Sequence, residues 1–477
     1  MNVIANQQPL ADFEYENAEE HEFDIDKSNV YRSTASERWL VGAILVQVVC
    51  QLALLMQQLG AYRVIFRMSS YGYSLVAFAV LVVVGRNRGV FPAKRLVVVV
   101  LSIVAINIVI HPITSSFLGG LATLGLYLAI AAPVFWVPNL LVTRECFKRL
   151  IWAIFLFQFL STIFGVLQSL YPGQFQPNIS TIISNYGHKG NNLKITLTNG
   201  MRVFRPMGLT DTPGGAGVAG FYTIIFGMGI WLTSKFPSAK LIGLAGVLLG
   251  AYCIYLSQIR SLIVLVAVVT VALLIILVRM GKVSLALQIA ILIPVSLAAA
   301  LSWATLVGGD ATVQRFSALI NVSPAEIYQK NRGGFLTHTI NVLLPEYPFG
   351  AGLGRWGMMN LYFGVNTPEA SPIWAEIQWT GWLLDGGVPL VFCYSLAVII
   401  SIWNTYKTAC RSQDKWLSGW GLLLVAYSIG LCAQTFGSMP FLSQFGFEFW
   451  LLNSAYWTCV YQTDNKANGR IKTTNVA

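Results

Sequence analysis

The sequence LIGLAGVLLGAYCIYLSQIRSLIVLVAVVTVALLIILV, residues 241–278, decides the fold class of this chain. It contains two apolar runs of about twenty residues each, the length that an α-helix needs to cross a bilayer core of about 30 Å. The runs are interrupted only at Ser257–Ser261, where Gln258 and Arg260 stand among serines. We therefore expect two membrane-spanning helices joined by a tight hairpin, with Arg260 at the outer end of the second helix.

The composition of the whole chain agrees with a membrane protein. Of its 477 residues, 55% are hydrophobic and 11% are charged, whereas a soluble domain carries about 25% charged residues. Mean hydropathy is +0.63. Apolar runs of similar length recur along the chain, and we predict an all-α, polytopic membrane protein with about twelve transmembrane helices. The predicted spans are residues 39–59, 70–85, 96–111, 117–137, 149–170, 214–233, 239–257, 260–279, 284–307, 376–403, 417–436 and 441–461.

Basic residues in the predicted loops indicate an orientation. Lysine and arginine follow the second, fourth, sixth, eighth and tenth spans and also close the chain. Because basic residues favour the cytoplasmic side of a membrane, we expect both termini in the cytoplasm. Arg63 and Arg67 follow the first span, would face outward, and are assigned to an interfacial helix.

This orientation divides the chain into a membrane domain, two tails and two long outer loops. Residues 1–38 contain nine acidic side chains and are predicted to form a disordered cytoplasmic tail. The membrane domain covers 39–461, and 462–477 form a second cytoplasmic tail. The larger outer loops are 171–213 and 308–375, and long loops of this kind commonly carry function. Neither loop contains a cysteine, so no disulfide framework is predicted.

Polar chemistry concentrates at the outer face, beginning with Met201–Gly215, MRVFRPMGLTDTPGG. Arg202 and Arg205 precede the sixth span, and guanidinium pairs can hold phosphate oxygens bidentately; solvated loop charges are the alternative. Asp211 either orients an arginine through a salt bridge or caps the sixth span. Arg260 is a functional candidate, because an arginine at the membrane boundary is costly unless it is paired or faces a polar cavity. Alternatively, it extends to the outer headgroups.

The second outer loop repeats these features. A partly desolvated carboxylate at Glu376, the first residue of the tenth span, suits general-base catalysis; pairing with an arginine is the alternative. Asp385 lies deeper and is expected to be buried and structural. We predict Arg260, Glu376 and Arg205 as catalytic residues. The predicted substrate-binding residues are Arg202, Asp211, Arg315, Arg332, Gly352 and Arg355.

Several short motifs recur in a defined order between residues 200 and 390. They resemble the O-antigen polymerase and O-antigen ligase family of bacterial polysaccharide assembly, and the resemblance rests on the order, spacing and sidedness of the motifs. The N-terminal half matches only in having hydrophobic spans. The motifs are Phe204-Arg205-Pro206-Met207-Gly208, Leu256-Ser257-Gln258-Ile259-Arg260-Ser261, Gln314-Arg315-Phe316, Asn331-Arg332-Gly333 and Pro348-Phe349-Gly350-Ala351-Gly352-Leu353-Gly354.

The resemblance implies a glycosyltransferase of the bacterial inner membrane. Such an enzyme takes a glycan from undecaprenyl diphosphate at the periplasmic face and passes it to a sugar hydroxyl, without metal, cofactor or nucleotide. Arg260 and Arg205 would then hold the leaving diphosphate and stabilise its charge. The implied partners are the lipid-linked glycan, the bilayer, a chain-length regulator and a flippase, and no nucleic acid.

One departure from the family pattern separates two functions. Ligases carry a His-Asn pair about eleven residues before a glycine near the start of span ten, where this chain has Glu376-Ile377. Either a carboxylate replaces the imidazole or the base lies elsewhere. The departure favours a polymerase of an exopolysaccharide or O-antigen-like chain, with an O-antigen ligase as the alternative.

Two other classes share the predicted architecture. Twelve spans with cytoplasmic termini also describe secondary transporters, which commonly show two related halves and interrupted helices. In this sequence the polar residues collect instead in two asymmetric outer loops. A non-catalytic scaffold of a secretion complex is the third alternative.

Overall fold

The computed structural model describes residues 35–83, 89–110, 116–177, 193–197, 199–321, 323–365 and 371–467. Within these ranges the protein is almost entirely helical, with one short antiparallel sheet. Most of the predicted tail at 1–38 and all of 468–477 lie outside the described residues. The prediction of an all-α protein is confirmed for the described part of the chain.

The helices and strands follow one another in a simple order along the chain. In that order they are α1 (Ala35–Leu55), α2 (Arg63–Val83), α3 (Lys94–Ile110), α4 (Phe117–Ala131), α5 (Pro133–Trp136), α6 (Arg144–Leu170), α7 (Pro172–Phe175), β1 (Lys194–Thr196), β2 (Arg202–Phe204), α8 (Gly215–Thr233), α9 (Pro237–Ser257), α10 (Arg260–Arg279), α11 (Val283–Asn321), α12 (Pro324–Tyr328), α13 (Gly334–His338), α14 (Leu344–Glu346), α15 (Gly357–Phe363), α16 (Gln378–Arg411), α17 (Lys415–Gln434) and α18 (Gln444–Ala467). Short 3₁₀ turns occupy Gln57–Tyr62, Val137–Asn139 and Pro440–Leu442, and π-helical turns at Gln329–Gly333 and Thr339–Leu343 join α12 to α14.

Many of these helices are suited to a membrane. Among the described residues, nine helices are long and apolar enough to cross a bilayer, or ten if α4 and the bent segment up to Asn139 form one span. The bend between those two helices is 44°. Helix α3 has 17 residues and α18 is more polar, so neither is among the nine. The count of twelve spans stays a prediction.

The predicted hairpin at Ser257–Ser261 is confirmed. Helix α9 ends at Ser257, Gln258 adopts a left-handed conformation with φ of 53°, and α10 begins at Arg260. Close packing of α8 against α9 fixes the hairpin beside the start of α8. A Cβ atom on Gly220 would lie 2.7 Å from the Gly250 carbonyl oxygen, so the two backbones approach as small residues allow in membrane bundles.

Helix α16 is interrupted where a turn of the second outer loop packs against it. Gly387 has φ of 64° and ψ of −160°, and a Cβ atom there would collide with the Pro348 carbonyl oxygen. The Ala351 N–H donates to the Leu384 carbonyl at 2.8 Å, and the Val388 N–H donates to the Pro348 carbonyl at 2.9 Å. The turn at 348–351 therefore satisfies backbone groups that the break leaves without helical partners.

Candidate functional site

An apolar cavity of about 610 Å³ lies among α1, α2, α4, α8 and the beginning of α18. Side chains such as Leu75, Leu121 and Val218 form its walls, and Met359 and Phe363 of α15 also line it. Polar side chains also line the cavity, among them Gln158 of α6, Tyr71 of α2 and Tyr222 of α8. Arg67 and Asp211 lie where α2 meets the 205–214 loop, and three glutamines come from α1 and α18.

Asp211 forms the charged part of this lining with two arginines from α2. Its carboxylate pairs with Arg63 and, at 2.9 Å, with the Arg67 guanidinium. The Arg63 guanidinium also donates to the Asp211 carbonyl at 3.4 Å. The N-cap of α8 is Gly214, so the capping alternative for Asp211 is wrong and the ion-pairing alternative is confirmed.

The positions of Arg63 and Arg67 correct the predicted start of the helix that contains the second span. The sequence assigned Arg63 and Arg67 to an interfacial helix after the first span and started the second span at residue 70, whereas one continuous helix, α2, begins at Arg63 and carries both. The helical segment Gln57–Val82 is itself apolar enough to cross a membrane. Hydropathy placed the span too late, because two arginines within the first turns reduce the local average.

This charged cluster has a net charge of +1, from Arg63 and Arg67 against Asp211. Side-chain exposure is 8% for Arg63, 10% for Asp211 and 28% for Arg67, so the cluster is shielded from bulk water. Arg67 also places Nη1 3.8 Å from the Met358 sulfur, a weak acceptor. The cluster therefore offers guanidinium donors and excess positive charge to an anionic group at the cavity.

The 205–214 loop is held by side chains of α6. The Gln168 Oε1 atom accepts from the Met207 and Gly208 N–H groups, both at 2.8 Å, and its Nε2 donates to the Gly208 carbonyl at 2.8 Å. The Ser161 hydroxyl accepts from the Leu209 N–H at 3.0 Å. Sequence analysis missed Gln168 because its role depends on a contact 39 residues along the chain.

Arg205 and the residue that precedes Arg260 meet at Gly214. A Cβ atom on Gly214 would lie 2.7 Å from Cδ1 of Ile259 and 3.9 Å from Cδ of Arg205. The two predicted catalytic arginines thus come from neighbouring segments, although neither lines the cavity. Arg260 is half-buried and, within the described ranges, forms no ion pair.

Arg202 lies on the small sheet at the far end of the same segment. Its strand β2 pairs with β1 so that Arg202 lies opposite Thr196 and Phe204 opposite Lys194. The Arg202 side chain is exposed. It takes no part in the ion pairs of Asp211.

Glu376 and Arg332 form a second ion pair in the outer loop. The Trp374 indole Nε1 donates to the Glu376 Oε1 atom at 2.8 Å, and the Arg332 guanidinium lies 6.0 Å from the Phe335 ring centre. Burial lowers the pKa of Arg332 from its usual value, because desolvation disfavours the charged form. The pairing alternative for Glu376 is thus observed, and a base role requires this pair to open.

Arg355 is buried and fastens the glycine-rich turn. Its guanidinium donates to the Ala351 carbonyl at 2.7 Å and to the Ser371 carbonyl at 3.2 Å and 3.3 Å. Gly352 is also buried, with φ of 97°, in the left-handed region that favours glycine. Arg355, which we predicted to bind substrate, therefore forms internal hydrogen bonds that hold the turn in place.

The remaining candidates are partly outside this arrangement. Asp385 is buried and accepts hydrogen bonds at 2.8 Å from the Tyr127 hydroxyl and from the Trp356 indole, as the structural prediction required. Arg315 lies in α11, but its side chain is outside the described residues. Among the predicted site residues, Asp211 alone lines the described cavity.

No protein-family model matches the chain, and a search of curated proteins gives no match.

Proposed function

We propose that the protein is a metal-independent membrane glycosyltransferase that polymerises oligosaccharide units carried on undecaprenyl diphosphate. The observation that carries this proposal is the charged cluster of Arg63, Arg67 and Asp211 beside an apolar cavity of about 610 Å³. A ligand that fits both parts has an anionic headgroup and a hydrocarbon tail. Lipid-linked diphosphates combine these two properties.

Each part of the ligand has a physical reason to bind. The hydrocarbon tail already lies in the bilayer, so the apolar cavity contributes by close packing against the tail rather than by removing it from water. The headgroup gains charge-assisted hydrogen bonds to guanidinium groups, which match phosphate oxygens bidentately. Because Asp211 neutralises only one of two arginines, the cluster remains attractive to an anion.

The transfer itself needs a base and a stabilised leaving group. The acceptor hydroxyl oxygen bonds to the anomeric carbon as that carbon's bond to the diphosphate oxygen breaks, and the hydroxyl proton passes to the base. Undecaprenyl diphosphate leaves with the bonding electrons. Arg260 and Arg205, from segments that meet at Gly214, are proposed to stabilise this charge. Glu376 is proposed as the base after its pair with Arg332 opens.

A polymerase is favoured over a ligase by the residues at the tenth span. Glu376-Ile377 stands where the ligases of the resembling family carry His-Asn. The Glu376 carboxylate is paired with Arg332, so we propose that it becomes available as a base only when the acceptor displaces Arg332. We propose that the non-reducing end of a second lipid-linked unit is this acceptor.

Binding of a short analogue tests the observation that carries the proposal. Farnesyl diphosphate, farnesol and inorganic diphosphate are titrated separately into purified protein in nanodiscs. We expect farnesyl diphosphate to bind more tightly than either fragment. Arg67→Gln is expected to weaken binding by about tenfold or more, since hydrogen bonds to charged groups contribute about 1.5–3 kcal/mol.

The matched control is Arg279→Gln, which removes an exposed arginine at the end of α10. It is expected to leave the affinity unchanged. Equal affinity of the Arg67 and Arg279 variants would contradict the headgroup site. Polymer formation from radiolabelled lipid-linked units by wild-type protein then tests the reaction, and its absence would contradict the polymerase assignment.

A further inference from the structure

Helices α1 and α18 lie antiparallel and share a polar face in the membrane domain. At one end, Ser36 of α1 accepts from the Leu141 N–H at 2.9 Å, and Gln462 of α18 bonds to the same 140–142 segment. At the other end, the Gln51 amide donates to Gln444 at 2.8 Å. The starting turn of α1 therefore faces the last turns of α18.

The antiparallel arrangement of α1 and α18 places two pairs of polar residues at the same height along the two helix axes. Gln47 and Gln51 are four residues apart on α1, and Gln444 and Glu448 are four apart on α18, so each pair occupies one helix face. Because the helices are antiparallel and Gln51 contacts Gln444, Gln47 lies at the level of Glu448. We refer to these four residues as the α1–α18 polar cluster.

The hydrogen bonds of the polar cluster run in one direction. Gln51 donates through Nε2 to Gln444 Oε1 at 2.8 Å, and Gln444 donates through Nε2 to Glu448 Oε1 at 2.7 Å. An ionised carboxylate only accepts, which fixes the Gln444 amide orientation and then that of Gln51. Consequently the Gln51 amide donates to Gln444 and the Gln444 amide donates to Glu448, and the Gln51 carbonyl oxygen takes no part in this chain of hydrogen bonds.

Three buried oxygens in the polar cluster accept no hydrogen bond within 3.5 Å from the described residues, although the Tyr222 hydroxyl lies near enough to interact with the Glu448 carboxyl group. They are Gln47 Oε1, Gln51 Oε1 and Glu448 Oε2. Gln47 is 4% exposed and Glu448 is 1% exposed. In the described part of the chain, no lysine or arginine forms an ion pair with Glu448. Buried carboxylates and amide oxygens without partners are costly.

We propose that the polar cluster binds a sodium ion between α1 and α18. Its free atoms are all oxygens, and carboxylate and carbonyl oxygens are the ligands of hard cations. One carboxylate balances one monovalent charge, whereas a divalent ion would leave a positive charge buried in the membrane domain. A proton on Glu448 satisfies that oxygen and one acceptor, but a sodium ion coordinates all three oxygens together.

The site has a route to its ion. Gln47, Gln51 and Gln444 line the cavity described above, so an ion that enters the cavity meets three members of the cluster. The Tyr222 hydroxyl also lines the cavity and interacts with the Glu448 carboxyl group. The sodium site therefore goes beyond the proposed transferase and does not depend on the lipid-linked substrate.

Sodium-dependent stabilisation tests the proposal without any glycan substrate. The unfolding midpoint of purified protein in detergent is measured in a NaCl series, with choline chloride holding the ionic strength constant. A ligand that binds only the folded state stabilises it in a concentration-dependent way. We expect the midpoint to rise with sodium and to saturate, and we expect ²²Na⁺ to bind with a stoichiometry of one.

Variants then assign the effect to the cluster. Glu448→Gln and Gln47→Leu are expected to abolish the sodium-dependent shift. The control is Asp385→Asn, another buried carboxylate, whose two oxygens accept hydrogen bonds from Tyr127 and Trp356; the shift should persist there. If Glu448→Gln does not fold, Gln47→Leu and the ²²Na⁺ measurement on wild-type protein still show whether the polar cluster binds sodium.

Three outcomes would overturn the proposal. The first is a wild-type unfolding midpoint that does not change with sodium concentration, and the second is an equal change of the midpoint in sodium and in choline. The third is a sodium-dependent shift of the midpoint that remains in both Glu448→Gln and Gln47→Leu. A midpoint that depends on pH but not on sodium would replace the sodium site with a protonated Glu448.

Discussion

The substitution Asp211→Asn removes the negative charge that faces two arginines of α2. The Arg63 and Asp211 side chains are 8% and 10% exposed, so the variant leaves a buried guanidinium without its counter-charge. Removing one partner of a buried ion pair costs about 3–5 kcal/mol. Because asparagine keeps one acceptor oxygen, we expect the lower end, a loss of about 3 kcal/mol in the free energy of unfolding.

The loss is measured by SDS-induced unfolding of the purified protein in mixed micelles. Glu145→Gln is the control, because the Glu145–Lys148 pair is exposed, with a distance of 3.6 Å, and should change stability by less than about 1 kcal/mol. The double variant Arg63→Met with Asp211→Asn should recover at least about 1 kcal/mol, since it also removes the stranded charge. An Asp211→Asn loss no larger than that of Glu145→Gln would refute the reasoning.

Two further predictions concern the reaction, assayed as polymer formed from radiolabelled lipid-linked units. Arg260→Ala should abolish polymer at normal protein levels, and Arg260→Lys should not restore it, because a planar bidentate group is lost while charge is kept; wild-type chains from the lysine variant would make Arg260 a topological anchor. Glu376→Gln should keep donor binding while turnover falls by about 10²-fold or more, and Glu376→His should recover part of it. Full turnover in Glu376→Gln would exclude Glu376 as the base.

Much of the helical architecture could be predicted because it depends on local composition. The apolar run at 241–278 and the polar residues inside it were sufficient to locate the α9–α10 hairpin and Arg260 at the start of α10. The start of α2 was misplaced because Arg63 lies within the helix, where it is paired with a distant aspartate. A hydropathy window assigns such a charge to a loop.

The site was harder to predict because its contacts are long-range. Arg63 and Asp211 are 148 residues apart, and nothing in either local sequence specifies the other as its partner. The sequence did identify Glu376 and Arg332 as candidates, but pairing and catalysis were equally compatible with their residue types. Helix packing, which no local pattern encodes, brings Asp211 to α2 and leaves Arg205 and Ile259 beside Gly214.

The interruption of α16 constrains how the outer loop can change. Pro348 and Ala351 are fixed to the two sides of the break, and the part of α16 that precedes the break begins at Gln378. The chain between Ala351 and Gln378 is therefore a closed ring with both ends anchored. Residues can be added where they leave the contacts of Arg355 with Ala351 and Ser371 in place, whereas a single insertion between Pro348 and Ala351 would leave backbone groups of α16 without partners. We therefore expect variants of this protein to tolerate changes in the length of the chain between Ala351 and Gln378, and to require the turn at 348–351 unchanged.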